Sequence, residues 1–346
     1  MHRIRRVMKN IKIIDNSFIE RNTSFIDLVK VLKNTFTKAM SIVPMRHHHD
    51  FPNPSVGSDS TLLLMPAWNP GNDAGVKIVI VSPENSKLDL PSIQGIYIYL
   101  DALKGNVKSI MDAKSLTAKR TAATSALASS FLSRKNSSSL LMIGTGALSK
   151  NLILAHASVR PITTVYVYGR DFKKAEKICS ELSNKQLSLY PVKTIEEVIS
   201  TVDIVSSATL SPIPLVLGKF LKPGQHIDLV GSYKKDTRES DDEVITKSSV
   251  FIDTYQGGLI ESGDILIPLT SGVLKVENIK ADLFELCQET KEGRKSSEEI
   301  TVFKSVGHAS EDLAAAAYYY DLFVSKNELI TIESNYDIAK SRKIEF

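Results

Sequence analysis

The sequence predicts an α/β protein built from a doubly wound parallel sheet and a second, strand-rich region. Three observations carry this expectation. Between residues 140 and 253, short apolar runs alternate with helical patterns, as strands joined by crossover helices do. Within that stretch, Gly144-Thr145-Gly146 stands between an apolar run and a helix. Before residue 115 the apolar runs follow one another with only turn residues between them, which is a hairpin pattern.

Ile11-Lys12-Ile13-Ile14 reads as a short strand. Phe25, Leu28, Val29, Leu32 and Phe36 then recur at helical spacing behind a cap region, Asn22-Thr23-Ser24. Arg46-His47-His48-His49-Asp50 follows. Neighbouring residues of an extended segment point to opposite faces, so three consecutive histidines do not converge on one ion. No metal is expected there, and a polar strand end is the plain reading. Arg46 is a candidate anion holder, because a guanidinium grips a carboxylate through two parallel hydrogen bonds. Residues 61–68 and 75–81 read as strands. Lys77 interrupts the second of them, where an ammonium is costly unless an anion meets it or its head reaches water. Residues 94–101 and 107–111 form a hairpin around Leu103-Lys104-Gly105-Asn106.

An Ala-rich helix is expected over residues 115–133, capped by Ser115 or Thr117. Arg120 and Thr121 then fall in its first turns, where the macrodipole favours acids. An anion beside Arg120 would remove that conflict. Next comes the fingerprint: the apolar run 140–143, then Gly144-Thr145-Gly146-Ala147-Leu148-Ser149, a helix, and the second run 164–168. Gly144 suits a turn with positive φ. Gly146 lets a pyrophosphate approach the backbone, and the helix start offers unpaired N–H groups. Ser149 stands where the fingerprint has Gly or Ala. A helix over residues 195–199, strands at 189–192, 204–209 and 250–253, and a turn then a strand within residues 223–232 continue the alternation. In such sheets ligands sit beyond the carboxyl ends of the strands. That expectation puts Gly144, Thr145, Gly146, Ala147, Arg170, Ala208, Thr209, Gly231, Ser232 and Tyr233 around one crevice; all of these but Tyr233, together with Leu148 and Thr121, are the candidate cofactor-binding residues. A strand and then a loop over residues 301–308 lead into an Ala-rich helix with Asp312 near its start, where helix-terminus charge complementarity is the alternative to a role in the site.

Composition excludes several classes. With 42% hydrophobic and 24% charged residues and a net charge of +4, the chain reads as an ordinary soluble globular protein without the basic patch that nucleic acid requires. No apolar run is long enough to span a membrane, and the basic start lacks the apolar core of a secretory signal. Two cysteines, Cys179 and Cys287, give no disulfide framework and suit the cytoplasm.

Taken together, several segments resemble the ornithine cyclodeaminase/μ-crystallin family over most of the chain. They are Gly75-Val76-Lys77, residues 116–123 around Lys119-Arg120-Thr121, Ile143-Gly144-Thr145-Gly146-Ala147, Val159-Arg160-Pro161-Ile162, and Phe303-Lys304-Ser305-Val306-Gly307 with Glu311-Asp312-Leu313. The resemblance implies a discontinuous architecture. Residues 1–116 and 306–346 would form a substrate-binding and dimerisation domain, and residues 117–305 a Rossmann domain. It implies a homodimer, a substrate-carboxylate clamp of Arg46, Lys77 and Arg120, and an acid near the substrate nitrogen at Asp312, with Lys77 and Asp312 as the catalytic pair. The family's cyclodeaminases carry an aspartate two residues after the glycine of Val230-Gly231, where this chain has Tyr233. Residues 44–49, 62–68 and 144–148 look most like the Δ1-pyrroline-2-carboxylate reductase branch. The expected reaction is NAD(P)H-dependent reduction of a cyclic imino acid, Δ1-pyrroline-2-carboxylate to L-proline or the six-membered homologue to L-pipecolate. Ornithine cyclodeamination, alanine-type dehydrogenation and non-catalytic NADPH binding are the alternatives. NADPH is the expected cofactor, with NADH second, because Arg170 closes the second strand while Asp171 beside it keeps ribose hydroxyl binding open.

Overall fold

A computed structural model of the chain describes residues 11–54, 57–88 and 90–341. The basic start of the sequence lies outside them. The chain divides into two compact units. One comprises the described residues of Met1–Thr23, Ser41–Leu116 and Asp312–Phe346; the other comprises Ser24–Met40 and Thr117–Glu311. The division differs from the expected one in the helix Phe25–Lys38 and in residues 306–311, both of which were assigned to the first domain and fall in the second unit. The apolar face of the helix packs within that unit: the Phe36 and Phe284 rings meet edge to face at 4.9 Å, and the Thr37 hydroxyl donates to the Cys287 carbonyl at 3.1 Å.

The first unit is organised by a six-stranded sheet. Its strands are β1 (Lys12–Ile14), β2 (His47–Phe51), β3 (Ser60–Asn69), β4 (Asp73–Val81), β5 (Ile93–Asp101) and β6 (Val107–Asp112), in the order β1-β6-β5-β4-β3-β2. β2 to β6 are antiparallel neighbours, and β1 joins β6 in parallel. The hairpins are set by turn chemistry. At the β5–β6 turn, Asp101 accepts from the Leu103 and Lys104 N–H groups, and Gly105 takes φ +69°. One face of the sheet carries Met65, Lys77, Tyr97 and Met111 in register, all buried. The opposite face is apolar and partly open: Leu64, Ile78 and Ile96 lie in one row, Leu62 and Ile80 in the next.

The second unit carries an eight-stranded parallel sheet: β7 (Ser139–Ile143), β8 (Thr164–Tyr168), β9 (Ser188–Val192), β10 (Ile204–Ser207), β11 (His226–Leu229), β12 (Ser249–Ile252), β13 (Ile279–Asp282) and β14 (Thr301–Lys304). The order is β13-β12-β14-β11-β10-β7-β8-β9. The chain winds outward from β7 to β9, then returns to place β10 on the other side of β7. The order therefore reverses between β7 and β10, the switch point at which doubly wound sheets open a ligand crevice. Leu141, Ile143, Val205, Ile227, Leu229 and Val302 build the core on one face; burying each such side chain contributes about 1.5–3 kcal/mol.

Two local expectations change. Residues 195–199 are not a helix: Ile199 bonds back to the Ile195 carbonyl in one turn that is not continued. The Ala-rich helix runs from Ala113 to Leu132 and is capped by neither Ser115 nor Thr117. The Asp112 carboxylate, at the end of β6, accepts from the Ser115 N–H at 2.7 Å. Arg120 is then the eighth residue of the helix, beyond the first turn where the dipole is felt, so the conflict expected there was overstated.

Candidate active site

The fingerprint turn closes the carboxyl end of β7. Gly144 takes φ +117°, and a Cβ there would lie 2.6 Å from the Ala208 carbonyl oxygen; only glycine permits this approach of the loops after β7 and β10. Gly146 is exposed, and nothing would meet a Cβ within 4 Å. The helix Ser149–Val159 starts behind it with Leu148 at the cap position and no side-chain cap bond. Ser149, the imperfect fingerprint residue, is buried, and its hydroxyl donates to the Gly144 carbonyl at 2.8 Å. It ties the turn to the helix and leaves the helix N–H groups to a ligand. An open glycine and an uncapped helix start fit the pyrophosphate of a dinucleotide. Beyond the turn, Thr145 packs where a side chain on Gly169 would sit, its Cγ2 2.5 Å from that Cβ position. Arg170, at the end of β8, is exposed. Asp171 is engaged locally: its carboxylate caps the helix Phe172–Leu182 through the Lys173 N–H.

Ala208-Thr209 and Gly231-Ser232 are brought together at the ends of β10 and β11. A Cβ on Gly231 would lie 2.1 Å from the Thr209 nitrogen. The residue that holds them was not foreseen. Glu239 is fully buried; one carboxylate oxygen accepts from the Ser207 hydroxyl at 2.7 Å and the Thr209 N–H at 2.8 Å, the other from the Gly231 N–H at 2.6 Å. Burial pushes its carboxyl up to about 7, with Asp264 adding to the rise and Lys304 opposing it. Lys304 pairs with Asp264 at 3.1 Å, both side chains fully buried. A lysine inside an apolar strand was the signal applied to Lys77; the same signal stands in Val302-Phe303-Lys304. Glu239 carries no such signal, because its partners are mostly backbone N–H groups.

Arg120 finds its anion within the same unit. Its guanidinium donates to Glu311 at 2.6 Å, both side chains buried. The Thr124 hydroxyl donates to the same carboxylate oxygen at 2.9 Å. Gly307, at φ +84°, passes under the guanidinium so closely that a Cβ would lie 2.6 Å from Nη1. Thr121 follows on the helix and is buried.

In the first unit Lys77 also meets an acid. Its ammonium lies 2.8 Å from Asp312, again with both side chains buried. Asp312 is in the first turn of the helix Ala309–Ser341, so helix-terminus complementarity and ion pairing act on one carboxylate. Tyr97 stands opposite Lys77 in register. Its ring occupies the space over Gly75, where a Cβ would be 2.2 Å from the phenol oxygen. Burial and the Asp312 charge push the Tyr97 phenol well above its ordinary range, so it stays a neutral hydrogen-bond donor. Arg46 is half-buried, one residue before β2. On β2, His47 and His49 share one face with ring centroids 6.1 Å apart, and His48 bonds Asp50 at 3.2 Å. Among the described residues no group of three His, Cys, Asp or Glu side chains is arranged to hold a metal ion.

A model of the ornithine cyclodeaminase/μ-crystallin family matches residues 12–327 of this chain. The chain belongs to that family. One family relative, the Δ1-pyrroline-2-carboxylate reductase of Colwellia psychrerythraea, is 36% identical over 88% of this chain and 97% of its own length. The solved Δ1-pyrroline-2-carboxylate reductase of Thermococcus litoralis, in complex with NADH and L-proline, matches with a TM-score of 0.84 at 32% identity, covering 91% of this chain and 98% of that one. An archaeal alanine dehydrogenase dimer with bound NAD matches with a TM-score of 0.84 at 29% identity, covering 92% and 97%. The doubly wound sheet and its fingerprint turn are thus part of a family fold.

Proposed function

We propose that this family member reduces Δ1-pyrroline-2-carboxylate to L-proline with NAD(P)H, as an oxidoreductase acting on the carbon–nitrogen bond of a cyclic imino acid. The observation that carries the reading is the pairing of two buried cations with consecutive acids, Lys77 with Asp312 and Arg120 with Glu311, in a chain whose reductase relatives it matches along nearly their whole length. Arg46, Lys77 and Arg120 bind the substrate carboxylate. The two acids orient Lys77 and Arg120 and keep each pair neutral, so that the buried cations do not carry the full cost of desolvation. Asp312 holds the proton on the ring nitrogen, which makes C2 electrophilic, and Lys77 fixes the direction of that carboxylate. A bound nicotinamide supplies the hydride. The protein's part is orientation, charge placement and exclusion of water.

Gly144, Thr145, Gly146, Ala147 and Leu148 hold the pyrophosphate, with Ala208, Thr209, Gly231, Ser232 and Thr121 completing the cofactor site. Arg170 is exposed at the end of β8 and Asp171 is committed to a helix cap, which supports NADPH over NADH. The apolar outer face of the six-stranded sheet, with Ile80 and Ile96 each more than two-fifths exposed, suits burial against a second copy, and we assign it to a homodimer. Two buried free thiols, Cys179 and Cys287, suit a reducing cytoplasm, and among the described residues no helix is long and apolar enough to cross a membrane.

The test is turnover. Purified protein given the cyclic imine oxidises NADPH, or NADH more weakly, and releases proline. No oxidation with any cyclic or linear imino acid would remove the proposal. Ammonia release from ornithine without net cofactor use would favour the cyclodeaminase alternative, which Tyr233 at the position of that activity's aspartate argues against.

A further inference from the structure

We propose that Glu239 is the positioning residue of the dinucleotide site, and that its ionised carboxylate sets the two loops, after β10 and β11, that close the cofactor crevice. The inference rests on the reading of those loops as cofactor-binding. Every polar group that meets Glu239 from these loops is a donor. One oxygen accepts from the Ser207 hydroxyl at 2.7 Å, the Thr209 N–H at 2.8 Å and the Thr209 hydroxyl at 3.2 Å. The other accepts from the Gly231 N–H at 2.6 Å and the Ser232 N–H at 3.3 Å. Hydroxyls can turn to accept, but backbone N–H groups cannot. The oxygen that meets Gly231 and Ser232 faces backbone N–H groups alone, so a proton there would confront fixed donors; on the other oxygen a proton is accepted only by a hydroxyl that turns round and gives up its own bond to the carboxylate. The carboxylate form alone keeps all five of these bonds. Gly231 is the counterpart of this device, since any side chain there would enter the Thr209 backbone.

The brace is itself anchored. Asp264, on the helix Gly263–Ser271, accepts from the Glu239 N–H at 2.8 Å and the Ser240 N–H at 3.2 Å. Lys304, on β14, pairs with Asp264 at 3.1 Å. Lys304 and Asp264 are the charged groups that face Glu239 from the packed elements, with opposite effects on its carboxyl, and burial outweighs both to bring it to about 7. Cofactor grip therefore weakens as pH falls below that value and the carboxylate takes up a proton.

The experiment is equilibrium binding of NADH or NADPH, whichever the wild type binds more tightly at pH 8, followed from pH 5.5 to 8.5 without substrate. Wild-type affinity falls on the acid side. Glu239→Gln, which places an amide N–H₂ against backbone donors, weakens binding at pH 8 by about tenfold or more, as expected for loss of charge-assisted bonds, and flattens the profile. Ser207→Ala removes one donor and leaves the carboxylate, so it weakens binding by only a few-fold and retains the acid limb; it reports on the brace even where Glu239→Gln folds poorly. With saturating cofactor, Glu239→Gln recovers most of the wild-type kcat, so its defect lies in the cofactor KM. Wild-type affinity and an unchanged pH profile in Glu239→Gln overturn the proposal while leaving the cofactor reading intact. Absence of dinucleotide binding by the wild type overturns both.

Discussion

Lys77 and Arg120 each sit where a cation is costly, and each is met by one of two consecutive acids, Asp312 and Glu311. Removing one member of such a buried pair strands the other at a cost of about 3–5 kcal/mol, so conservative changes are the informative ones. Asp312→Asn keeps the shape and lowers kcat by about 10²–10⁴-fold, the range of a lost acid–base contribution; steady-state kinetics with intact dinucleotide binding checks this, and a kcat near wild type removes Asp312 from the chemistry. Arg120→Lys preserves the charge opposite Glu311 but loses the planar fork. Its substrate KM rises about tenfold with a modest effect on stability. Arg170→Glu moves the preference from NADPH towards NADH by about tenfold or more, and an unchanged ratio of kcat/KM values would exclude Arg170 from cofactor choice. At this scale the sequence was legible wherever a charge interrupted an apolar run. Lys77 was visible for that reason, and Lys304 was equally visible and passed over. Glu239 lies in a polar stretch, Lys234 to Asp241, where one more acid carries no contrast. Its importance comes from backbone donors that only the folded loops bring together.

The elements that position these residues follow from short-range rules with two exceptions. Strands β3 to β8, the hairpin at Gly105 and the helix behind Gly146 were readable because apolar period and turn chemistry agree there. The helix at Ala113–Leu132 was read as starting too late because Asp112 ends a strand and caps a helix at once. Asp112→Ala is expected to cost about 1 kcal/mol of stability, seen as a lowered denaturation midpoint with unchanged kinetics. Residues 195–199 had helical spacing, but a single turn suffices to bury Ile195, Val198 and Ile199, and tertiary burial overrode the local pattern. Gly144→Ala tests the fingerprint turn. It combines a positive φ with an approach of 2.6 Å to the Ala208 carbonyl, so it loses dinucleotide binding as well as stability. Gly146→Ala meets open space in the free protein, and its defect should appear only in cofactor affinity.

For the whole molecule, the parallel order of the second sheet followed from the alternation of strands and helices, and the unit to which the helix Phe25–Lys38 belongs did not, since an amphipathic helix does not declare what it packs on. The open apolar face of the first sheet leads to a clear expectation from the proposed homodimer: wild type sediments as a dimer and Ile80→Lys with Ile96→Lys as a monomer, and a persistent dimer would place the interface elsewhere. Acid stability is set in part by His226, which is buried and neutral with its imidazole lowered to about 3, chiefly by burial. The unfolded chain binds that proton below about 6.5. The stabilising contribution is therefore present above about 6.5 and is lost as pH falls towards 3. Glu239 acts in the opposite sense, because its raised carboxyl makes the folded state bind the extra proton between about 4.5 and 7. His226→Gln should flatten the acid limb of the unfolding midpoint. The decisive measurement for the reaction is isotopic. With Δ1-pyrroline-2-carboxylate and NADPH deuterated at its transferable position, one deuterium should appear at C2 of the proline formed, one per cofactor consumed. Proline without label at C2, or no proline while ornithine yields ammonia, would contradict direct hydride transfer to the imine.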